Sequence, residues 1–237
     1  MSYSLIIDTS DSSALYGVTF QGETIFEFCT VSTFEHTRTC LEFISMLCRE
    51  CCISLNDYTY FVIATGPGSF TGLRTSFATL KTISAALTIP LIGISTLHAL
   101  ALSASHYTND REYIVSCKKA QSSYTFGAVY RRENTNSFVP VINDNCFEEH
   151  EFIQLVQNIS VPAKRLLFAG DYHLFENQID MNGILLSPIK IPNIQAYDIL
   201  SRAFIKGKNR EQLLCEGASL LPQYLQKTQA EKKLGNL

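Results

Sequence analysis

The chain has 237 residues, 46% of them hydrophobic, and a formal net charge of −3. It can bury a substantial core, and its length suits one large domain or two smaller ones. The negative balance excludes a surface that binds nucleic acid unaided, because neutralising phosphate takes clustered cations in excess, so a role on RNA requires a partner's charge.

Leu5-Ile6-Ile7 forms a short apolar strand closed by Asp8-Thr9-Ser10. Ala14 to Phe20 and Glu23 to Cys29, joined by Gln21-Gly22, complete a three-stranded meander. Asp-Thr-Ser is ordinary turn chemistry. It is also similar to the first phosphate loop of actin-like and sugar-kinase-like ATPases, in which the acid holds metal-bound water and the hydroxyls face phosphate. Asp8, Thr9 and Ser10 are therefore candidates for a vestigial phosphate site.

A helix is predicted from Thr37 to Cys52, with apolar residues over about two-thirds of its circumference and a clean polar wedge of only Glu42, Ser45 and Arg49. One core needs a narrower stripe, so the helix has surface for a second packing partner. Cys48-x-x-Cys51 lacks the second pair of a zinc or redox motif and is read as small apolar helix residues. The eight cysteines follow no disulfide framework, and the chain shows neither a signal peptide nor an 18-residue apolar run. A cytoplasmic protein without a membrane partner is expected.

Tyr60 to Leu100 reads as a βαβ unit. A strand ends in Gly66-Pro67-Gly68-Ser69, and a helix capped by Ser69 or Thr71 repeats Leu73, Phe77, Leu80, Ile83 and Leu87. Pro90 stops it before the strand Leu91 to Ile94. Gly66, Gly68 and Ser69 admit two readings, a cradle for an anion at a helix start or a tight turn for close packing. The Walker pattern fails, since Leu73-Arg74 follows Gly72, and the dinucleotide pattern fails at Thr71 and Ser95. The far side of the helix carries Thr75, Ala78, Thr79, Thr82, Ala85 and Ala86, flanked by Arg74 and Lys81. Solvated helix faces are normally written with Lys, Glu and Gln, so this small, smooth face is expected to lie against another helix, of a partner or of the same chain.

The composition turns polar near Ser103 to Arg111, which sets a boundary between residues 1–105 and 106–237. The second part repeats the pattern loosely: strands Glu112 to Cys117, Tyr124 to Tyr130 and Phe138 to Ile142, a helix near Glu148 to Asn158, and a strand Arg165 to Ala169. After Cys117 the loop reads Lys118-Lys119-Ala120-Gln121-Ser122-Ser123, where a duplicated ATPase would place an acid, so ATP hydrolysis is not expected. The two lysines admit an anion site, and a pair of solvated loop cations is the commoner reading. A Pro-spaced stretch, Ile184 to Pro192, precedes a helix near Ala196 to Lys206, and the last ten residues are expected to lack order without a partner.

These residues are similar to those of the TsaB (YeaZ) family: Ile7-Asp8-Thr9-Ser10, His36-Thr37, Gly66 through Arg74, Ile89 through Leu97, and Pro222-x-Tyr224-Leu225. The resemblance implies an α/β, actin-like and sugar-kinase-like (ASKHA) duplicated fold of two lobes, each with a mixed sheet and helices. It implies a non-catalytic subunit that binds and activates the catalytic paralogue TsaD in making N6-threonylcarbamoyladenosine at position 37 of tRNA, with the ATPase TsaE as a further partner and tRNA reached through the complex. It further implies that the partner interface lies on the two helices flagged above, at Phe43, Met46, Leu47, Arg74, Thr75, Ala78, Thr79, Thr82 and Ala86. The same face suits a homodimer. TsaD's metal-binding histidine pair maps onto Thr96 and Leu100, neither a ligand, which leaves no metal site, and His98 is read as a satisfied helix residue. No tightly bound cofactor is implied, with ATP or ADP confined to the complex interface. Many members carry Asp-Ala-Arg where this chain has Lys119-Ala120-Gln121. The rival readings are a weak ATPase or kinase on the same fold and a metallopeptidase-like protein, the latter without any zinc-binding spacing among the histidines.

Overall fold

The computed structural model describes residues 2–31, 36–107, 112–160, 166–174 and 184–226. Strands β1 (Tyr3–Asp8), β2 (Ser13–Phe20) and β3 (Glu23–Val31) form the expected meander, followed by α1 (His36–Glu50), β4 (Tyr58–Gly66), α2 (Phe70–Leu87), β5 (Leu91–Ser95) and α3 (Thr96–Ser105). The second half runs β6 (Tyr113–Lys119), β7 (Tyr124–Asn134), β8 (Ser137–Glu148), α4 (Glu149–Ser160), β9 (Leu166–Gly170) and β10 (Ile184–Leu186), then α5 (Ile194–Ile205) and α6 (Arg210–Ser219).

The sheet orders are β3-β2-β1-β4-β5 and β10-β9-β6-β7-β8. In each, the first strand pairs antiparallel with the second and parallel with the strand after the helix, so one topology occurs twice. Side-chain alternation explains the layering. In β1 and β4, Leu5, Ile7, Phe61 and Ile63 pack outward against Cys40, Ile44 and Leu47 of α1 and Phe77 and Leu80 of α2. Ile6, Val62 and Ala64 point the other way, into a core shared with Ile114, Leu167 and Ala169 of the second sheet. Val115, Cys117 and Phe168 face outward onto Phe152 and Val156 of α4. Because both faces are covered, these strands are written as unbroken apolar runs. The central layer is α3, buried on all sides except at His98, together with α5.

The boundary expected at residues 105/106 is corrected by this core. α5 lies against the inner face of the first sheet and α6 against β5, so residues 194–219 return to the first half. The cause is local: Ile194, Tyr197 and Leu200 put one apolar stripe of α5 into the shared core. β10 and α6 were not expected from the sequence. The tail of which disorder was expected falls in residues 227–237, outside the described residues.

Candidate functional site

Two regions gather the sequence-predicted residues: a cleft between the sheets and the outer face of α1 and α2. The cleft, about 770 Å³, lies at the ends of β1 and β6 and is lined by Ser10, Asp11, Ser69, Lys118, Asp171 and Tyr224, among others. The turn after β1 is packed directly on the start of α2. Ser69 is the cap, its hydroxyl accepting from the Gly72 N–H, and the Ser69 N–H donates to the Ser10 carbonyl at 2.7 Å. A Cβ on Gly68 would stand 2.1 Å from the Ser10 carbonyl oxygen and one on Gly72 2.0 Å from that of Thr9, so only glycine permits this approach. The glycine-rich turn thus serves close packing, one of its two readings.

The candidate phosphate residues are engaged internally. Asp8 accepts the Ser10 N–H at 2.8 Å and the Tyr197 hydroxyl, from α5, at 2.6 Å. The Thr9 hydroxyl lies 2.8 Å from both the Gly72 carbonyl oxygen and the Ser76 hydroxyl. Asp8, Thr9 and Ser10 are all buried. Lys118, read as a solvated cation, is corrected: it is 6% exposed and its ammonium sits 3.0 Å from Asp11 Oδ2 and 3.4 Å from the Ser10 hydroxyl. Burial alone would raise the Asp11 carboxyl, but the Lys118 ammonium and hydrogen bonds from Lys118 and Ser12 outweigh it and hold the group below the ordinary carboxylate range. Lys119 is exposed, and its N–H donates to Asp171 at 2.8 Å. The strand β6 runs through Lys119, which places Lys118 inside the sheet rather than in a loop.

At the cleft mouth the segment after α6 crosses the start of α2. The Gln223 N–H donates to the Thr65 carbonyl at 2.8 Å, and Tyr224 lies 4.7 Å from the Phe70 ring with the Arg74 guanidinium 3.8 Å over Phe70. A second bridge joins the halves at α3. Ser95, its cap, donates to Asp144, which also accepts the Tyr130 hydroxyl at 2.6 Å, and burial raises the Asp144 carboxyl. The His98 ring stacks on Tyr130 at 4.7 Å. Among the described residues its Nε2 has no hydrogen-bond partner, which corrects the expectation of a satisfied histidine, and burial lowers its pKa to about 4. Sequence reading missed Asp11, Tyr197, Asp144 and the Tyr224 contacts. For Tyr224 a signal existed, the Pro222-x-Tyr224-Leu225 motif.

The predicted interface residues divide. Leu47, Thr75 and Thr79 are buried by the chain itself, because α1 packs across α2 and brings Cys40 to Thr79; they are corrected to core positions. Phe43 and Met46 are half-buried, Phe43 against Tyr16 and Phe28. Arg74, Ala78, Thr82 and Ala86 are exposed, as is Leu41 at 50%. Among the described residues no cluster of three His, Cys, Asp or Glu is placed to hold a metal, and no helix is long and apolar enough to cross a membrane.

A family model described as TsaD, tRNA N6-adenosine threonylcarbamoyltransferase, matches residues 30–141. The chain is 24% identical over 231 residues to the tRNA threonylcarbamoyladenosine biosynthesis protein TsaB of Bacillus subtilis, covering 97% of this chain and 96% of that one. It is 32% identical over 131 residues to the TsaB of Buchnera aphidicola from Schizaphis graminum, covering 55% of this chain and 61% of that relative. Among solved structures, YeaZ from Pseudomonas aeruginosa superposes with a TM-score of 0.74 at 20% identity over 95% of this chain and all of that one. A putative N-acetylmannosamine kinase from Listeria monocytogenes gives 0.51 at 10% identity over 88% of this chain and all of that one.

The duplicated sheets with a cleft between them give the chain the actin-like, sugar-kinase-like fold. Among proteins of that fold, the chain is similar to TsaB proteins, along nearly its whole length in the Bacillus subtilis case.

Proposed function

We propose that this chain takes part in tRNA threonylcarbamoyladenosine biosynthesis as a non-catalytic subunit that docks and activates TsaD. The relatives at 24% and 32% identity bear the name of that pathway, and the family-model match is to the catalytic paralogue. The observation that carries the reading is the outer face of α1 and α2. There Leu41, Met46, Ala78, Thr82 and Ala86 offer apolar and small side chains, with the charged Glu42 and Arg49 beside Leu41 and Met46 on α1. Small residues allow a partner's helix to come close, and Arg74 sits at the end of that strip.

In this reading the complex, and not this chain, transfers the threonylcarbamoyl group; tRNA and TsaE are engaged through the assembly, nucleotide is held at the shared interface, and the free chain pairs with itself through the same face. A weak ATPase is disfavoured because both Asp8 oxygens are taken by protein donors and Lys118 stands in the cleft. The test is reconstitution of adenosine modification with the catalytic partner, its ATPase, tRNA, threonine-derived donor and this chain. Modified adenosine is expected to fall to background when this chain is left out; equal modification without it overturns the proposal.

A further inference from the structure

Lys118 is a buried cation carried by the second half, and both of its polar contacts, Asp11 and Ser10, belong to the first. A buried ammonium is costly unless it is paired and hydrogen-bonded, so its position is fixed by those two partners. They in turn are tied to α2: the Ser10 carbonyl accepts the Ser69 N–H, and Thr9 sits against Gly72 and Ser76. A continuous run of contacts therefore joins β6 to the first turn of α2 through the turn after β1.

We propose that Lys118 and Asp11 form a built-in latch that holds the two halves together across the cleft without a bound ligand and fixes the start of α2 in place. The ammonium fills the space between the turns that close β1 and β6, and the carboxylate neutralises it, so Lys118 is already paired, while the neighbouring Lys119, which also lines the cleft, stays exposed. This inference concerns the chain alone and stands or falls independently of any partner. Another polar bridge between the halves, Ser95 to Asp144, lies outside the pair and remains when it is removed, as does the Tyr197–Asp8 bond within the first half. Loosening is therefore expected in the turns and not in the sheets.

Hydrogen exchange of the full-length chain tests this, comparing wild type with Lys118→Met, Asp11→Asn and the double variant. Each single change is expected to speed exchange across residues 9–12 and 69–74 by at least about tenfold, with the central strands unchanged. The double variant is expected to exceed neither single one, because one interaction has been removed. Inorganic phosphate and magnesium-ADP, added to wild type, are expected to give no protection of these segments. Unchanged exchange in both single variants, or additive effects in the double, would overturn the latch. So would phosphate protection of wild type that Lys118→Met abolishes, which would make the lysine an anion receptor. If Lys118→Met does not fold, Asp11→Asn, at a part-exposed position, still decides the matter.

Discussion

The two halves repeat one strand order yet end their first strands with opposite charge and clothe their outer faces differently. β1 closes in Asp8 to Asp11 and β6 in Lys118-Lys119, at equivalent places in the duplicated topology. Instead of both turns facing a ligand, one supplies the countercharge of the other. Outside, the first sheet carries α1 and α2, whose far sides keep Leu41, Ala78, Thr82 and Ala86 at the surface. The second carries α4, whose outer positions are Glu151, Gln154, Leu155 and Asn158. The two halves thus share a core pattern, while their turns face one another and their outer faces differ in composition.

The largest effect that would test this contrast lies between α1 and α2. Thr79→Arg places a guanidinium beside Cys40 with no countercharge and is expected to cost about 3–5 kcal/mol in urea unfolding, whereas Leu155→Arg on the outer side of α4 is expected to stay within about 0.5 kcal/mol. A tolerated Thr79→Arg would show that α1 does not cover that position.

A smaller effect concerns α3, which belongs to both halves. His98 is held neutral by burial, with a pKa of about 4 against an ordinary 6.5. The unfolded chain therefore binds more protons between those values, and stability is expected to fall as pH drops through that window. His98→Phe keeps the stacking on Tyr130 and removes the titration. It is expected to flatten the decline of Tm between pH 7 and pH 5; an unchanged slope would place the proton elsewhere.

The βαβ unit was legible because it is long and periodic, with a glycine-rich turn, an Ser69 cap and a Pro90 stop. α6 was not: only Leu213 and Gly217 are buried along it, so its pattern carries little helical signal. β10 is three residues inside a proline-spaced stretch. At the candidate site, residue types were readable but their partners were not. The smooth face of α2 announced that a helix lies against it, and no local pattern could say that α1 takes Thr79 while Ala78 and Thr82 stay outside. Lys118 read as a loop cation because its countercharge lies more than a hundred residues earlier. The return of α5 to the first sheet is likewise a long-range event, set by where Ile194 and Tyr197 find apolar surface.

The central claim is that the exposed side of α2 receives the catalytic partner. Its most direct measurement is the affinity of TsaD for wild type, Thr82→Arg and Leu155→Arg by titration calorimetry, with the unfolding midpoint of each variant recorded. Thr82→Arg is expected to weaken binding by at least about a hundredfold at unchanged stability, with Leu155→Arg binding as wild type does. Undiminished binding by Thr82→Arg, or its loss in Leu155→Arg alone, would contradict the account and move the contact to the other half.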